Sequence, residues 1–370
     1  MSQPEPPQPP PGPPKPLPPA PPARGLNWIR RLIRWGLKAL KYFVQFLVIA
    51  WASLVIYYSN LPWPAARLIL ALAFGGFAIC ALWVVRRPKW RWTLAGAFVG
   101  VVIWYASIPP SNDRPWRAEV ARPPRAVIEG DRVRFLNYRN FTYRSRDDFD
   151  IHYEEREVDL SRLVSVDLLV SYWKVGPVAH TFLSFNFDDG SPPVCISIET
   201  RPEVGEGFDP LASLFKQFEL VYVVGDERDL VRLRTDYRGE EVFLYRLRMP
   251  RESARALFLI YLGRINSLAE RPEWYHLLKS SCTINVIRYS RAVGGPHRRF
   301  EINHFLNGLI DAYLYRLGIL DTRLSFSELR RRSHINDTAR AAGDVPDFSA
   351  RIRRGLPGTL EQESPAPGTP

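Results

Sequence analysis

Three apolar segments in the first third of the chain restrict its fold more than any other feature. They lie at residues 42–59, 65–85 and 92–108, and few charged residues interrupt them. Each is near the ~20 residues that a helix needs to cross ~30 Å of hydrocarbon. The sequence therefore predicts three transmembrane helices, with a large soluble domain after the third.

Positive charge is concentrated around these segments. Residues 1–110 hold 12 Lys and Arg and one acidic residue, whereas the remaining 260 residues hold 38 basic and 37 acidic residues. Basic residues precede the first segment and fill the link between the second and third, and the positive-inside rule places both regions in the cytoplasm. Three crossings then predict a multi-pass protein of the bacterial inner membrane, with its C-terminal domain in the periplasm.

The same charge distribution argues against a nucleic-acid partner. Binding to nucleic acid is driven by neutralisation of phosphates, which requires positive charge on a folded face. In this chain the excess charge belongs to the membrane anchor, because residues 111–370 carry a net charge of only +1 (38 minus 37). We therefore expect the membrane, and not nucleic acid, to be the partner of the basic region.

The N-terminal region divides into a tail and an anchor. Residues 1–22 contain 13 of the 34 prolines, and proline runs lack the backbone donors that a helix or sheet requires. Residues 1–24 are thus predicted to be a disordered cytoplasmic tail, and residues 25–110 the anchor. Apolar and basic residues alternate at helical spacing over residues 26–41. This pattern fits either an amphipathic helix lying on anionic lipid or the charged flank of the first transmembrane helix.

The sequence pattern of residues 111–348 predicts a single α+β domain. Short β-branched or aromatic runs bounded by turn residues predict a largely antiparallel sheet, with strands at 164–170, 179–186, 194–198, 218–224 and 242–247. Apolar residues at helical spacing predict helices over residues 250–269 and 300–317. The polar, proline-containing residues 349–370 are predicted to form a disordered tail.

A candidate base and its orienting acid lie on one predicted hairpin. The turn signal at Asp189-Gly190 sets the sum of opposed positions to 379, which places His180 opposite Glu199. A carboxylate beside an imidazole can fix its tautomer and stabilise imidazolium, as in a nucleophilic triad. An exposed ion pair on the sheet is the alternative interpretation.

Cys282 is the candidate nucleophile. It follows Ser280-Ser281 and begins a short apolar run that could be helical. A cysteine at a helix N-terminus meets the positive end of the dipole, which favours the thiolate, and unpaired backbone donors, which can hold an oxyanion. The alternative is that Cys282 is a buried small hydrophobe, as free cysteines often are.

The order of these pieces resembles a known family. The sequences RNFTY at 139–143, HTFLSF at 180–185, ISIETR at 196–201, SCT at 281–283 and LNGL at 306–309 are similar to the periplasmic domain of Lnb-type lipoprotein N-acyltransferases. That family itself resembles permuted papain-like thiol enzymes of the NlpC-like and lecithin-retinol-acyltransferase-like kinds. The resemblance implies a permuted papain-like domain, with Cys282 as nucleophile and His180 as base; Glu199 follows from the hairpin geometry alone.

Other residues are weaker candidates. Arg201 and Arg234 could hold a lipid phosphate, although exposed arginines on strands are more often solvated. Cys195 would face Ser184 across the hairpin and is interpreted as packing. His276 lies six residues before Cys282 and is expected to be solvated. The cysteine spacing matches neither a metal site nor a disulfide framework, so we expect no metal and no cofactor.

Together these features predict a membrane-anchored periplasmic thiol acyltransferase. Cys282 would carry an acyl chain as a thioester; the resemblance to the Lnb-type family implies that an amine of a lipoprotein accepts it and that a phospholipid or lipoprotein is the acyl donor. A papain-like cysteine peptidase or amidase acting on cell-wall peptides is one alternative. A non-catalytic envelope scaffold is the other. The sequence leaves the donor, the acceptor and the oligomeric state open.

Overall fold

The computed structural model describes residue 12 and residues 25–59, 61–173, 178–295 and 307–358. The predicted N-terminal tail lies outside the described residues apart from Gly12, as do residues 359–370 of the predicted C-terminal tail. The described chain begins with the anchor helices and continues into a mixed α+β domain, as predicted.

The anchor consists of three helices, α1 (Gly25–Tyr57), α2 (Pro64–Ile79, continued as a π-helix over Cys80–Val84) and α3 (Pro88–Ser107). Two segments, Trp28–Tyr57 and Pro64–Val84, are long and apolar enough to cross a membrane. Helix α3 is less clearly so, because Lys89 and Arg91 occupy its first turn. Two apolar helices are therefore established, and the third crossing stays a prediction.

Helix α1 joins the basic segment to the first apolar segment without a break. Its 33 residues span about 50 Å at ~1.5 Å per residue, which exceeds the ~30 Å of a hydrocarbon core. The basic residues of 26–41 thus form the N-terminal turns of the same helix. This continuity corresponds to the charged flank of the first transmembrane helix, one of the two alternatives for this region.

The domain is built on an eight-stranded sheet with the strand order β1-β2-β9-β8-β7-β6-β10, in which β5 also pairs with β2. The pairings are antiparallel except for β2 with β9. The sheet strands are β1 (Arg125–Glu129), β2 (Arg132–Arg139), β5 (Tyr153–Asp159), β6 (Leu163–Tyr172), β7 (Ala179–Phe187), β8 (Val194–Arg201), β9 (Glu219–Gly225) and β10 (Glu241–Arg246), and the short pair β3 (Thr142–Tyr143) and β4 (Phe149–Asp150) stands apart. The predicted antiparallel sheet and its five predicted strands are confirmed.

The parallel bridge between β2 and β9 requires a glycine. It joins Arg139 to Gly225, and a Cβ atom on Gly225 would lie 2.5 Å from the Arg139 carbonyl oxygen and 2.6 Å from Leu230. No side chain fits at such a distance, so the backbone of β9 can approach β2 only through glycine.

Helices cover both faces of the sheet. They are α4 (Glu227–Arg232), α5 (Arg251–Glu270), α6 (Cys282–Ala292), α7 (Ile310–Arg316), α8 (Phe326–Ser333), α9 (Asn336–Ala342) and α10 (Phe348–Arg351). The prediction for 250–269 is confirmed by α5. The helix predicted over 300–317 falls partly outside the described residues; its described part is a 3-10 turn (Asn307–Leu309) followed by α7.

Alternating residues of the central strands supply two hydrophobic cores. Leu183 and Phe185 of β7 pack with Phe258 of α5 on one face. On the other face, Phe182 of β7 packs with Ile335 and Ile352 from the C-terminal region. Both faces are therefore buried, which accounts for the nearly continuous apolar character of β6 to β9.

The C-terminal boundary differs from the predicted one. Ile352 and Leu356 are buried, and Arg353 donates hydrogen bonds to Glu227 (2.6 Å) and Asp167 (2.9 Å). These contacts lie beyond residue 348, where the domain was predicted to end. The packed domain includes residues at least as far as Leu356, because an arginine-rich segment with few apolar residues packs through buried ion pairs that sequence composition does not reveal.

The loop between β8 and β9 holds the domain against the anchor. The Tyr58 ring stacks on Phe215 with centroids 5.4 Å apart, and its hydroxyl donates to Asp209 over 3.1 Å. Lys216 Nζ donates to the last carbonyl groups of α3, those of residues 105, 106 and 108, over 2.8–3.1 Å. A cation is favourable there, since the C-terminal end of a helix is electronegative.

Candidate active site

The hairpin of β7 and β8 has the predicted register. Phe182 pairs with Ser197 and Ser184 with Cys195, so opposed positions sum to 379, and Gly190 turns the chain with φ +79°. His180 Nε2 lies 3.2 Å from Glu199 Oε1. The predicted juxtaposition of imidazole and carboxylate is confirmed, and the pair lies in a cavity instead of on an exposed sheet face.

Ser197 bridges the imidazole and the carboxylate. Its hydroxyl donates to Glu199 Oε1 over 2.7 Å and lies 2.7 Å from His180 Nε2. Because a serine hydroxyl has one proton, it accepts from Nε2–H while donating to Glu199. This arrangement fixes the His180 tautomer and leaves Nδ1 as the ring nitrogen that can serve the thiol. Sequence reasoning missed Ser197, although its diagonal position across the hairpin was a usable signal.

Arg234 binds the same oxygen of the Glu199 carboxylate. Its Nη2 donates to Glu199 Oε1 over 2.7 Å, and its guanidinium lies 4.6 Å above the Phe182 ring. Burial alone would raise the pKa of Glu199, but His180, Arg234 and Ser197 hold that pKa well below its usual range. Glu199 is therefore a fixed negative charge beside the imidazole.

Cys282 is the first residue of α6, as the sequence predicted. The first backbone hydrogen bond of the helix runs from Asn285 N to Ser281 O over 3.0 Å, so the N–H groups of residues 282–284 have no acceptor within the helix. The Ser281 side chain does not cap them. Cys282 is 4% exposed, and its sulfur thus lies in a buried environment at the N-terminus of a helix.

His180 and Cys282 interact directly. Burial would lower the pKa of His180, but Glu199 and Cys282, which also hydrogen-bonds to it, raise that pKa to about 9. Burial would raise the pKa of Cys282, but His180 and hydrogen bonds from Thr181 lower it to about 7. Between these values the thiolate–imidazolium pair is the favoured state, which is the reactive form of a cysteine nucleophile.

Two threonines support the sulfur. The backbone and side chain of Thr181 both hydrogen-bond to Cys282, and the Thr181 and Thr283 hydroxyls lie 3.0 Å apart. The Thr283 hydroxyl is also 3.9 Å from the Cys282 sulfur. Sequence reasoning missed Thr181, whose only signal was its position next to the candidate base.

A cavity of about 420 Å³ opens over these residues. His180, Glu199 and Cys282 line it together. Its lining combines apolar side chains with charged ones of both signs: Trp173, Val178, Phe208, Tyr275 and Leu277 are apolar, Arg117, Arg146 and Arg238 are basic, and Glu119 and Glu240 are acidic. A ligand with an apolar chain and a polar head suits such a lining.

The part of the chain that holds this constellation matches a known family model. Residues 150–310 match the Lnb N-terminal periplasmic domain. This region belongs to the Lnb family. The resemblance inferred from sequence is thereby confirmed, and a membrane-associated periplasmic domain follows from it. No curated protein and no solved structure matches the chain, so the permuted papain-like topology stays a prediction.

The two arginines predicted to bind substrate in the Lnb domain have other contacts. Arg201 is buried and donates to the carbonyl groups of Val120 and Ala121 and to Asn112 over 2.8–2.9 Å. Its guanidinium therefore holds the segment that follows α3, and we do not retain it as a substrate ligand. Arg234 lines the cavity, but its Nη1 and Nη2 groups donate to the Leu230 carbonyl and to Glu199. These contacts hold the Glu199 carboxylate.

The remaining candidates have structural contacts. Cys195 is fully buried opposite Ser184, which confirms the interpretation as packing, and its pKa is raised by burial. His276 Nδ1 accepts a hydrogen bond from the Leu278 N–H over 3.2 Å. The imidazole thus stabilises the local turn that contains it. Among the described residues of the Lnb domain, no group of three or more His, Cys, Asp or Glu could hold a metal ion.

Proposed function

We propose that this protein is a membrane-anchored thiol acyltransferase that moves an acyl chain from a lipid ester to an amine of a lipoprotein. The observation that supports this most is the buried contact of Cys282 with His180, which Ser197, Glu199 and Arg234 hold in place. A structural cysteine needs no base and no orienting carboxylate. A catalytic cysteine needs both.

In the first half-reaction the Cys282 thiolate attacks the carbonyl carbon of the lipid ester. The N–H groups at the start of α6 can donate hydrogen bonds to the carbonyl oxygen as negative charge develops on it. As the tetrahedral intermediate collapses, the ester C–O bond breaks and His180 imidazolium donates its proton to the departing alkoxide. The products are a thioester on Cys282 and a lipid alcohol.

In the second half-reaction the amine of the acceptor attacks the thioester carbonyl carbon. Neutral His180 takes a proton from the amine, and the C–S bond breaks to return the Cys282 thiolate. An ester and an amine have thus become an alcohol and an amide, and thiolate and imidazolium are both restored. Glu199 stabilises the imidazolium in both halves without accepting the proton.

The anchor supports a lipid substrate. We propose that α1, α2 and α3 cross the inner membrane three times, which would hold the domain at the periplasmic surface. Donor and acceptor lipids are confined to the same leaflet, so tethering raises the effective concentration at which the active site meets them. A soluble cell-wall peptide would gain nothing from such an anchor.

The test is a transfer assay with the purified full-length chain in lipid vesicles. The vesicles carry a phospholipid with an alkyne-tagged acyl chain and a synthetic diacylated lipopeptide with a free N-terminal amine. We expect tagged N-acyl lipopeptide from the wild type and none from Cys282→Ser. The matched control is Cys80→Ser, which alters the exposed cysteine of the anchor and should leave transfer unchanged.

The products separate the alternatives. Tagged free fatty acid without tagged amide would indicate a hydrolase, and release of peptide fragments from cell wall would indicate a peptidase. If wild type and Cys282→Ser both leave every substrate unchanged, the domain is a scaffold and the proposed function is wrong.

A further inference from the structure

We infer that the loop between β8 and β9 inserts into the outer surface of the bilayer, so that the cavity receives its acyl chain directly from the leaflet. The inferred partner is a lipid bilayer surface, and the contacting residues are Val204, Phe208 and Leu211. This inference adds a binding surface and a substrate route to the proposed function. It rests on the proposed function in one respect only, which is that the chain entering the cavity is an acyl chain.

The position of the membrane follows from the anchor. Residues 209–216 contact the C-terminal ends of α1 and α3, through Tyr58 on Phe215 and Asp209 and through Lys216 on the last carbonyl groups of α3. Both helices are apolar and end at this loop. The loop therefore lies at the level of the lipid headgroups. This position does not depend on the orientation of the rest of the domain.

The loop exposes large apolar side chains at that level. Val204 is 71% exposed, and Phe208 and Leu211 are each 43% exposed. Single exposed apolar residues are common, but three within eight positions beside membrane helices form a patch that water does not favour. Aromatic and aliphatic side chains are stabilised when they enter the headgroup region.

The carboxylates of the same loop do not oppose this contact. Glu203 pairs with Arg114 over 3.1 Å, and Glu206 accepts from Gln217 and from the Glu203 N–H. Asp209 accepts from Tyr58 and from two backbone N–H groups. Arg114 thus offsets the charge of Glu203, and the hydrogen bonds of Glu206 and Asp209 hold their carboxylates against the protein.

The apolar patch is continuous with the cavity mouth. Gly207 and Phe208 line the cavity that contains Cys282, and the Phe208 ring lies 5.2 Å from the ring of Trp173. Trp173 and Val178, both exposed, continue the apolar wall toward His180. An acyl chain that leaves the bilayer at this loop can thus reach the nucleophile along an apolar surface.

The full chain offers a control site of matched exposure. Ile128 is 42% exposed and lies in the β1–β2 hairpin, whose Asp131 contacts Arg255 near the start of α5. The other end of α5 contacts Asn112, which follows α3 closely. Ala126, two residues before Ile128 on β1, exchanges hydrogen bonds with Asn266 of α5, so Ile128 lies on a strand along α5 and outside the loop that contacts the ends of α1 and α3.

The test measures membrane depth without catalysis. Nitroxide labels are attached at Phe208→Cys, Leu211→Cys and Ile128→Cys, each in full-length chain that also carries Cys80→Ser and Cys282→Ser, reconstituted in phosphatidylglycerol–phosphatidylethanolamine vesicles. We expect the labels at 208 and 211 to collide more with oxygen, which concentrates in lipid, than with a water-soluble nickel chelate. The label at 128 should show the reverse. Nickel-dominated collisions at 208 and 211 would overturn the inference, whatever the outcome of the transfer assay.

A second arm links the surface to substrate supply. Val204→Glu and Ile128→Glu each add one charge at a position outside the cavity lining. We expect Val204→Glu to lower acylation of Cys282 by vesicle phospholipid at least about tenfold, the effect of ~1.4 kcal/mol, and Ile128→Glu to leave it unchanged. Alkylation of Cys282 by water-soluble iodoacetamide should be equal in both variants, which shows that both are folded. Equal acylation of the two variants would also overturn the inference.

Discussion

The Cys282 sulfur lies between a cation and two hydroxyl-bearing threonines, and this environment sets its reactivity. His180 and Thr181 lower the pKa of Cys282 to about 7 despite its burial, whereas an ordinary cysteine would remain a thiol at neutral pH. At Cys195 burial is the largest effect and outweighs the opposing Arg234 and Arg353 cations, so the pKa of this thiol is raised. The two cysteines show that burial alone does not decide reactivity.

The reactivity of Cys282 should follow pH accordingly. A thiolate forms as pH rises through the pKa of the thiol, so the alkylation rate with iodoacetamide should rise with an inflection near pH 7. In His180→Asn the neighbouring cation is absent, and the inflection should move upward toward the ordinary value near 9. Quenched-time-point mass spectrometry of the Cys282 peptide measures both profiles. Identical profiles for wild type and His180→Asn would show that His180 does not ionise the thiol.

Glu199 should act through His180. In Glu199→Gln the imidazolium loses its carboxylate, so the pKa of His180 falls from about 9. The upper limit of the pH range in which thiolate and imidazolium coexist therefore falls. Transfer at pH 8 should fall by about 10²–10⁴-fold, the usual contribution of a positioned acid–base group. The control is Glu241→Gln, since Glu241 forms a pair with His334 at the protein surface. A narrowed pH–rate profile in Glu241→Gln as well would argue against a specific role for Glu199.

At the scale of elements, residue patterns predicted the site better than its surroundings. The turn at Asp189-Gly190 fixed the register of the β7–β8 hairpin. That register predicted both that Glu199 faces His180 and that Cys195 faces Ser184 as a packing residue. Strands β1, β2 and β5 were not predicted, because their charged residues alternate on an exposed face. The prediction that Arg201 binds substrate was wrong for a related reason. The sequence does not show that the segment after α3 covers this strand arginine and supplies carbonyl groups to its guanidinium.

A buried ion pair joins two of these elements. Arg139 at the end of β2 makes two hydrogen bonds of 2.8 Å with Asp229 of α4, and both side chains are buried. Asp229→Ala leaves the guanidinium without its partner, so we expect the free energy of unfolding to fall by about 3–5 kcal/mol.

Thermal melting of the purified chain in detergent measures this loss. Asp337→Ala is the control, because Asp337 pairs with Arg340 on the surface and exposed pairs contribute at most about 1 kcal/mol. Equal melting temperatures for the two variants would show that the Arg139–Asp229 pair does not hold β2 to α4.

At the scale of the whole molecule, the anchor determines the compartment of the active site. The family assignment places the domain in the periplasm, and the basic residues of α1 and of the α2–α3 link favour the cytoplasm. Only an odd number of crossings satisfies both, which is why α3 is proposed to span the membrane although its composition is less apolar. The contacts of Lys216 with the end of α3 fit this arrangement.

Reporter fusions should reveal the topology. Alkaline phosphatase is active only outside the cytoplasm, so a fusion after Ser111 should be active and a fusion after Arg87 inactive. A fluorescent protein that folds only in the cytoplasm should give the reverse pattern at the same two positions. An inactive phosphatase after Ser111 would remove both the third crossing and the periplasmic active site.

The central claim is that Cys282 carries the acyl chain, and trapping of the acyl-enzyme tests it most directly. Wild-type chain is incubated with vesicle phospholipid in the absence of an amine acceptor, and its peptides are mapped by mass spectrometry before and after neutral hydroxylamine, which cleaves thioesters. Cys282→Ser is melted in parallel to show that it remains folded. We expect one hydroxylamine-sensitive acyl group on the Cys282 peptide of wild type and none on the folded variant. An acyl group on another residue, or transfer that persists in Cys282→Ser, would contradict the claim.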